Sequence, residues 1–62
     1  MSNLMLKFVR IGMGVDEKEI ADRINITKDK YISIENNSIE PRLHDMIKIS
    51  NVLGATIDEL FG

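Results

Sequence analysis

The chain has 62 residues, 44% of them apolar and 29% charged, with a formal net charge of −2 and no cysteine. That length allows one domain near the lower limit for unaided folding, and the lack of cysteine excludes a disulfide framework or a cysteine metal site. The acidic balance argues against a sequence-blind polycation, and no apolar run approaches the ~20 residues that span a bilayer.

Residues 1–13 are amphipathic, without the central apolar block and small-residue cleavage site of a leader. A cytoplasmic location is the default expectation. Apolar spacing is helical nearly throughout, and no segment alternates with period two. Met5, Val9 and Met13 recur every four residues with Leu6 on the same face, which predicts a first helix over about 3–13 that stops at Gly14. The four methionines, Met1, Met5, Met13 and Met46, read as core filler or terminus.

Asp16 followed by Glu19 is a capping-box-like pair ahead of Ile20, Ala21 and Ile24, giving a second helix over about 16–24. It ends near Asn25, a residue that tolerates left-handed backbone. Thr27 caps a third helix, about 27–35, with Tyr31 and Ile34 facing inward. Asn36, Asn37, Ser38 and Pro41 form a loop. A fourth helix, about 43–53, carries Met46, Ile47, Ile49 and Leu53 and closes at Gly54. Thr56 and Glu59 make a second capping box over Ile57, Leu60 and Phe61, a last helix over about 56–61. The expectation is a compact all-α domain of five short helices, residues 1–62 in one unit, with no repeat and no linker.

On a helical wheel, Thr27, Tyr31 and Ile34 share the core-facing side of the third helix, and Lys28, Asp29, Ile32 and Ser33 lie opposite. Against duplex DNA that outer strip is chemically sensible. Lys28 suits guanine O6 and N7, Asp29 suits the cytosine amine, Ile32 suits a thymine methyl, and Ser33 donates or accepts. Lys30, on the flank, suits a phosphate, a contact that positions without specifying. A solvated face with one stray isoleucine has the same pattern, and the wheel by itself leaves both readings open.

The pieces "EIADRINIT", "ISIEN", Pro41, "MIKISNVLG" and "IDELF" follow one another in register. From Leu6 to Phe61, about nine-tenths of the chain, the sequence resembles the helix-turn-helix domain of the phage repressor and Cro superfamily, the XRE type. The resemblance implies a lambda-repressor-like five-helix fold with helices two and three as the helix-turn-helix. It also implies a homodimer on double-stranded DNA, with half-sites about one helical turn (~34 Å) apart. It places base reading at Lys28, Asp29 and Ser33, in agreement with the wheel. Glu17 stands at the start of helix two, where the family often has glutamine. Together with Thr27, Lys30 and Ser38 it falls on the flank of the surface.

Arg42, just before helix four, matches a frequent phosphate-binding position, and the helix N-terminus beside it attracts anions. Arg10 and Glu35 match a pair that joins as a structural salt bridge beneath the recognition helix. Asn37 replaces the usual glycine after that helix, a substitution asparagine permits. Ile39, Ile57, Leu60 and Phe61 are expected at a dimer contact.

His44 has no second histidine or cysteine beside it, so no metal or cofactor is expected. Nor do Ser33, Ser38 or Ser50 have a base at hand, and enzyme activity is not expected. The expected function is a small Cro-like repressor that acts by occupying a pseudo-palindromic operator and that has no sensor segment of its own. The competing reading is a protein-interaction module, such as an antirepressor, that keeps the fold but binds DNA weakly. Glu17, Asp29 and the net negative charge favour the module, while Lys28, Lys30 and Arg42 favour DNA. An antidote of a toxin pair would combine DNA binding with a protein partner.

Overall fold

The computed structural model describes residues 4–62. Its elements are α1 (Leu4–Gly12), α2 (Glu17–Arg23), α3 (Lys28–Glu35), α4 (Leu43–Leu53) and α5 (Ile57–Phe61). No strand occurs among the described residues, so the architecture is all-α. The expected start of the first helix at residue 3, and Met1, lie outside the described residues.

Each helix ends for a local chemical reason. Asn25 takes a left-handed φ of 63°, its N–H donates to the Asp22 carbonyl (3.2 Å), and the Ile26 N–H reaches the Ala21 carbonyl (3.0 Å). Asn37 (φ 61°) repeats the arrangement after α3, with the Ser38 N–H on the Ser33 carbonyl at 2.9 Å. These paired backbone bonds satisfy carbonyls that a helix end otherwise orphans, and asparagine adopts the required conformation at lower cost than most side chains. Two such stops, twelve residues apart on either side of α3, bound its run.

Helix starts are capped by side chains at three of the four junctions. Asp16 accepts from the Glu19 N–H at 2.8 Å, Thr27 from the Lys30 N–H at 3.1 Å, and Thr56 from the Glu59 N–H at 3.0 Å. The Thr56 box is complete, since the Glu59 carboxylate returns to the Thr56 N–H at 2.9 Å. The Asp16 box is only half formed. Glu19 turns instead to Arg23 at 2.9 Å, one turn along α2. At α4 the capping position is held by Arg42, which offers no acceptor.

The core consists of Leu6, Val15, Ile20, Ala21, Ile24, Tyr31, Ile34, Ile49, Leu53 and Leu60. Burying each of the larger side chains contributes roughly 1.5–3 kcal/mol, the main term holding the helices together. Within this arrangement α2 packs on α3, α1 on α5, and α4 on both α5 and α2.

The first helix faces the core with a different stripe from the one its apolar spacing predicts. Leu6 and Arg10 are buried and Val9 is half-buried, whereas Met5 and Met13 are exposed. The physical reason is that Arg10, a charged residue, occupies an inward position one turn after Leu6. Counting apolar residues alone therefore rotates the helix. Met5 and Met13 are not core filler, and Met46 is half-buried. On α4 the buried positions are Asp45, Ile49 and Leu53, while Ile47 and Leu43 are exposed.

Candidate nucleic-acid interface

The inner side of α3 is fastened by a polar network. Arg10 donates from Nε to Glu35 Oε2 at 2.9 Å and from Nη2 to Oε1 at 3.0 Å, the two-pronged geometry a guanidinium and a carboxylate share. Its Nη1 donates to the Val15 carbonyl at 2.9 Å, so one side chain ties α1 to α3 and to the loop ahead of α2. Tyr31, fully buried, donates its phenolic O–H to Glu35 Oε2 at 2.6 Å.

Burial by itself pushes the Glu35 carboxyl up. The hydrogen bonds from Arg10 and Tyr31 outweigh it, and with the Arg10 and Lys7 charges they hold the group below the usual glutamate range. The same hydrogen bond holds Arg10 above its ordinary value, and burial first, then Glu35, drives the Tyr31 phenol far up.

Opposite this network, the outer strip stays open. Lys28 and Asp29 are exposed, and Ile32 and Ser33 are half-buried, so none of the four is fully covered by the subunit itself. Thr27 is exposed, and its hydroxyl serves as the N-cap of α3. Glu17 is half-buried at the first position of α2. Ser38 is exposed on the loop after α3, its backbone N–H held by Ser33. At the far end of α2, Lys48 of α4 donates to the Ile24 carbonyl at 3.3 Å, which steadies the turn leading into α3.

Lys30 and Arg42 meet at one buried side chain. Asp45, in the first turn of α4, places Oδ2 3.8 Å from Lys30 Nζ and 3.6 Å from Arg42 Nε. Sequence reading does not single out Asp45, whose cationic partners lie on α3 and just before α4. It also misses the Tyr31 hydroxyl, although the four-residue step from Tyr31 to Glu35 puts the two on adjoining turns.

At the opposite end, Leu60 is only 1% exposed and belongs to the subunit's own core, which removes it from the expected dimer contact. Ile57 and Phe61 are half-buried and Ile39 is exposed. Phe61 lines a shallow cleft with Asn37, Glu40, Pro41 and Met46.

A family model described as a helix-turn-helix domain matches residues 3–62. The chain belongs to the XRE-type helix-turn-helix family. It is 36% identical over 55 residues to the SPbeta prophage-derived HTH-type transcriptional regulator YonR of Bacillus subtilis. It is 34% identical over 55 residues to the HTH-type transcriptional regulator YqaE of the same organism. Each match covers 89% of this chain, but the chain spans only about half the length of either relative, 51% and 47%. Among the described residues, no group of three or more acidic, histidine or cysteine side chains is arranged to hold a metal ion, and no helix is long and apolar enough to cross a membrane.

Proposed function

We propose that this helix-turn-helix domain reads duplex DNA by sequence within a transcriptional regulator of Cro-like repressor type. The observation behind the reading is the two-sidedness of α3. Its inner face is locked to α1 through Arg10, Tyr31 and Glu35, while on the other side Lys28 and Asp29 are exposed and Ile32 and Ser33 only half-buried. A rigid helix with an open, mixed donor, acceptor and apolar strip suits the major groove, where base edges differ in those same respects. Both relatives are named as uncharacterized HTH-type transcriptional regulators, which supports the regulator part of this reading.

Lys30, Arg42 and the uncapped N-terminus of α4 suit phosphates on the flanks, with Thr27, Ser38 and Glu17 at the margin. A symmetric dimer on a pseudo-palindromic operator, blocking polymerase by occupancy, completes the mechanism. Its contact would use Ile39, Ile57 and Phe61, which are exposed or half-buried.

Selection from a random duplex library at moderate salt tests the reading. An enriched inverted-repeat motif is the expected result. Arg42→Ala should then weaken binding to every sequence about equally and flatten the salt dependence by about one unit of log–log slope. Asp29→Ala or Ser33→Ala should change which bases are preferred. The competing reading, a protein-interaction module, draws on the carboxylates of Glu17 and Asp29 and the net charge of −2. No enriched motif, together with capture of a specific protein partner, would replace the DNA reading with that one.

A further inference from the structure

We propose that Asp45 is a built-in restraint on phosphate contact. It gathers Lys30 of α3 and Arg42, just before α4, around one buried carboxylate and withholds part of their charge from a nucleic-acid backbone. The inference rests on the proposed DNA-reading function and adds a positioning residue that touches no nucleotide itself.

The Asp45 side chain is 3% exposed, and among the described residues nothing donates a hydrogen bond to its Oδ2. A carboxylate so placed is costly unless charge compensates it. The compensation comes from two cations, one on α3 and one just before α4, at 3.8 and 3.6 Å, both outside hydrogen-bond range. Neither cation is buried with it: the Lys30 side chain is 37% exposed and that of Arg42 is 73% exposed. Arg42 therefore turns Nε toward the carboxylate and keeps the rest of its guanidinium accessible.

Two cations and one carboxylate leave a local charge of about +1 facing a phosphate strand, where the cations alone would give +2. Such a cluster lowers affinity for all duplexes, while base reading by α3 is untouched. A regulator with this device discriminates through base contacts more than through bulk attraction.

Asp45→Asn in the full chain tests the inference, with binding to a selected operator and to random duplex measured from about 50 to 200 mM salt. Affinity for both duplexes should rise several-fold at the lowest salt by about the same factor. The log–log slope should steepen by up to about 0.9, the release expected for one more neutralised phosphate. In a Lys30→Gln/Arg42→Gln background the same substitution should do much less, since no cation is left to release; a purely structural role would not show that dependence. Circular dichroism establishes that each variant is folded, and Asp45→Ser gives the same readout if the asparagine variant is not. An unchanged slope, weaker binding, or altered base preference in a folded variant overturns the inference alone. If the unmodified chain selects no duplex at all, the DNA-reading function fails and the inference goes with it.

Discussion

Two buried carboxylates hold α3, Glu35 from its own last turn and Asp45 from α4, and they are held in opposite ways. Glu35 lies within a closed network. Arg10 grips both its oxygens at 2.9 and 3.0 Å, and the Tyr31 hydroxyl adds a third bond at 2.6 Å. Asp45 sits beside the helix in a loose one, with two cations at 3.6 and 3.8 Å and no hydrogen bond to Oδ2. Similar chemistry thus serves two ends. The tight cluster fixes the position of the reading helix, and the loose one leaves its cations partly available to solvent. A satisfied buried network rigidifies, whereas a partly satisfied one keeps a costly unpaired polar atom.

The largest effect should come from breaking the tight cluster. Arg10→Met strands a buried carboxylate and also removes the bond to the Val15 carbonyl. Removing one partner of such a pair costs about 3–5 kcal/mol, a large share of what a chain this short possesses. Urea denaturation followed by helical circular dichroism should show most of the cooperative transition lost near room temperature. Acid provides the same break without mutation. The folded Glu35 value is depressed, so its stabilisation is present above the ordinary glutamate value of about 4.3 and is lost as pH falls through the depressed value below it. A chain that keeps its full urea midpoint after Arg10→Met would remove Glu35 from its structural role.

Next in size is Tyr31→Phe. The ring still fills its buried site, and Glu35 Oε2 keeps the Arg10 Nε–H, so only one hydrogen bond to a charged acceptor is lost. The cost should be about 1.5 kcal/mol, at the low end for such bonds. The alkaline limb sharpens the test. Because the folded phenol is raised, its contribution is complete below the ordinary tyrosine value of about 10 and declines as pH rises above it. The phenylalanine variant should lack that component, so the two proteins should converge in stability as pH climbs. A constant difference across the range would mean that the hydroxyl bond is not what the substitution removes.

The same contrast explains what could be read from sequence and what could not. Caps and stops were legible because their residues act locally: Thr27, Thr56, Asn25 and Asn37 each perform the turn chemistry that their side chains favour. The core stripe of α3 was legible because Tyr31 and Ile34 are apolar and regularly spaced. The inward face of α1 was not, because Arg10 holds a buried position that hydrophobicity denies it, and only the partner twenty-five residues away makes that burial affordable. Asp45 escaped for the same reason, its partners lying on α3 and at the start of its own helix. Leu60 failed differently: a short terminal helix offers three apolar residues, and spacing does not say which of them turns inward. Resemblance to the family supplied the Arg10–Glu35 pairing that periodicity missed, but it offered nothing for Tyr31 or Asp45.

The smallest effect should be that of Asp45→Asn on stability, as distinct from its effect on binding. The substitution removes a charge that makes no hydrogen bond through Oδ2, and it releases two cations that already meet solvent. Coulomb attraction at 3.6–3.8 Å is given up, while the penalty of keeping an ionised carboxylate out of water is relieved. These terms oppose one another, and the net change should lie within about 1 kcal/mol, as for pairs that are only partly shielded. Urea midpoints measured at low and high salt decide the point, since a pair that includes an exposed arginine is screened and the Arg10 pair is not. Should Asp45→Asn prove as damaging as Arg10→Met, the two clusters would be equivalent staples. The looseness seen in the distances would then have no functional meaning.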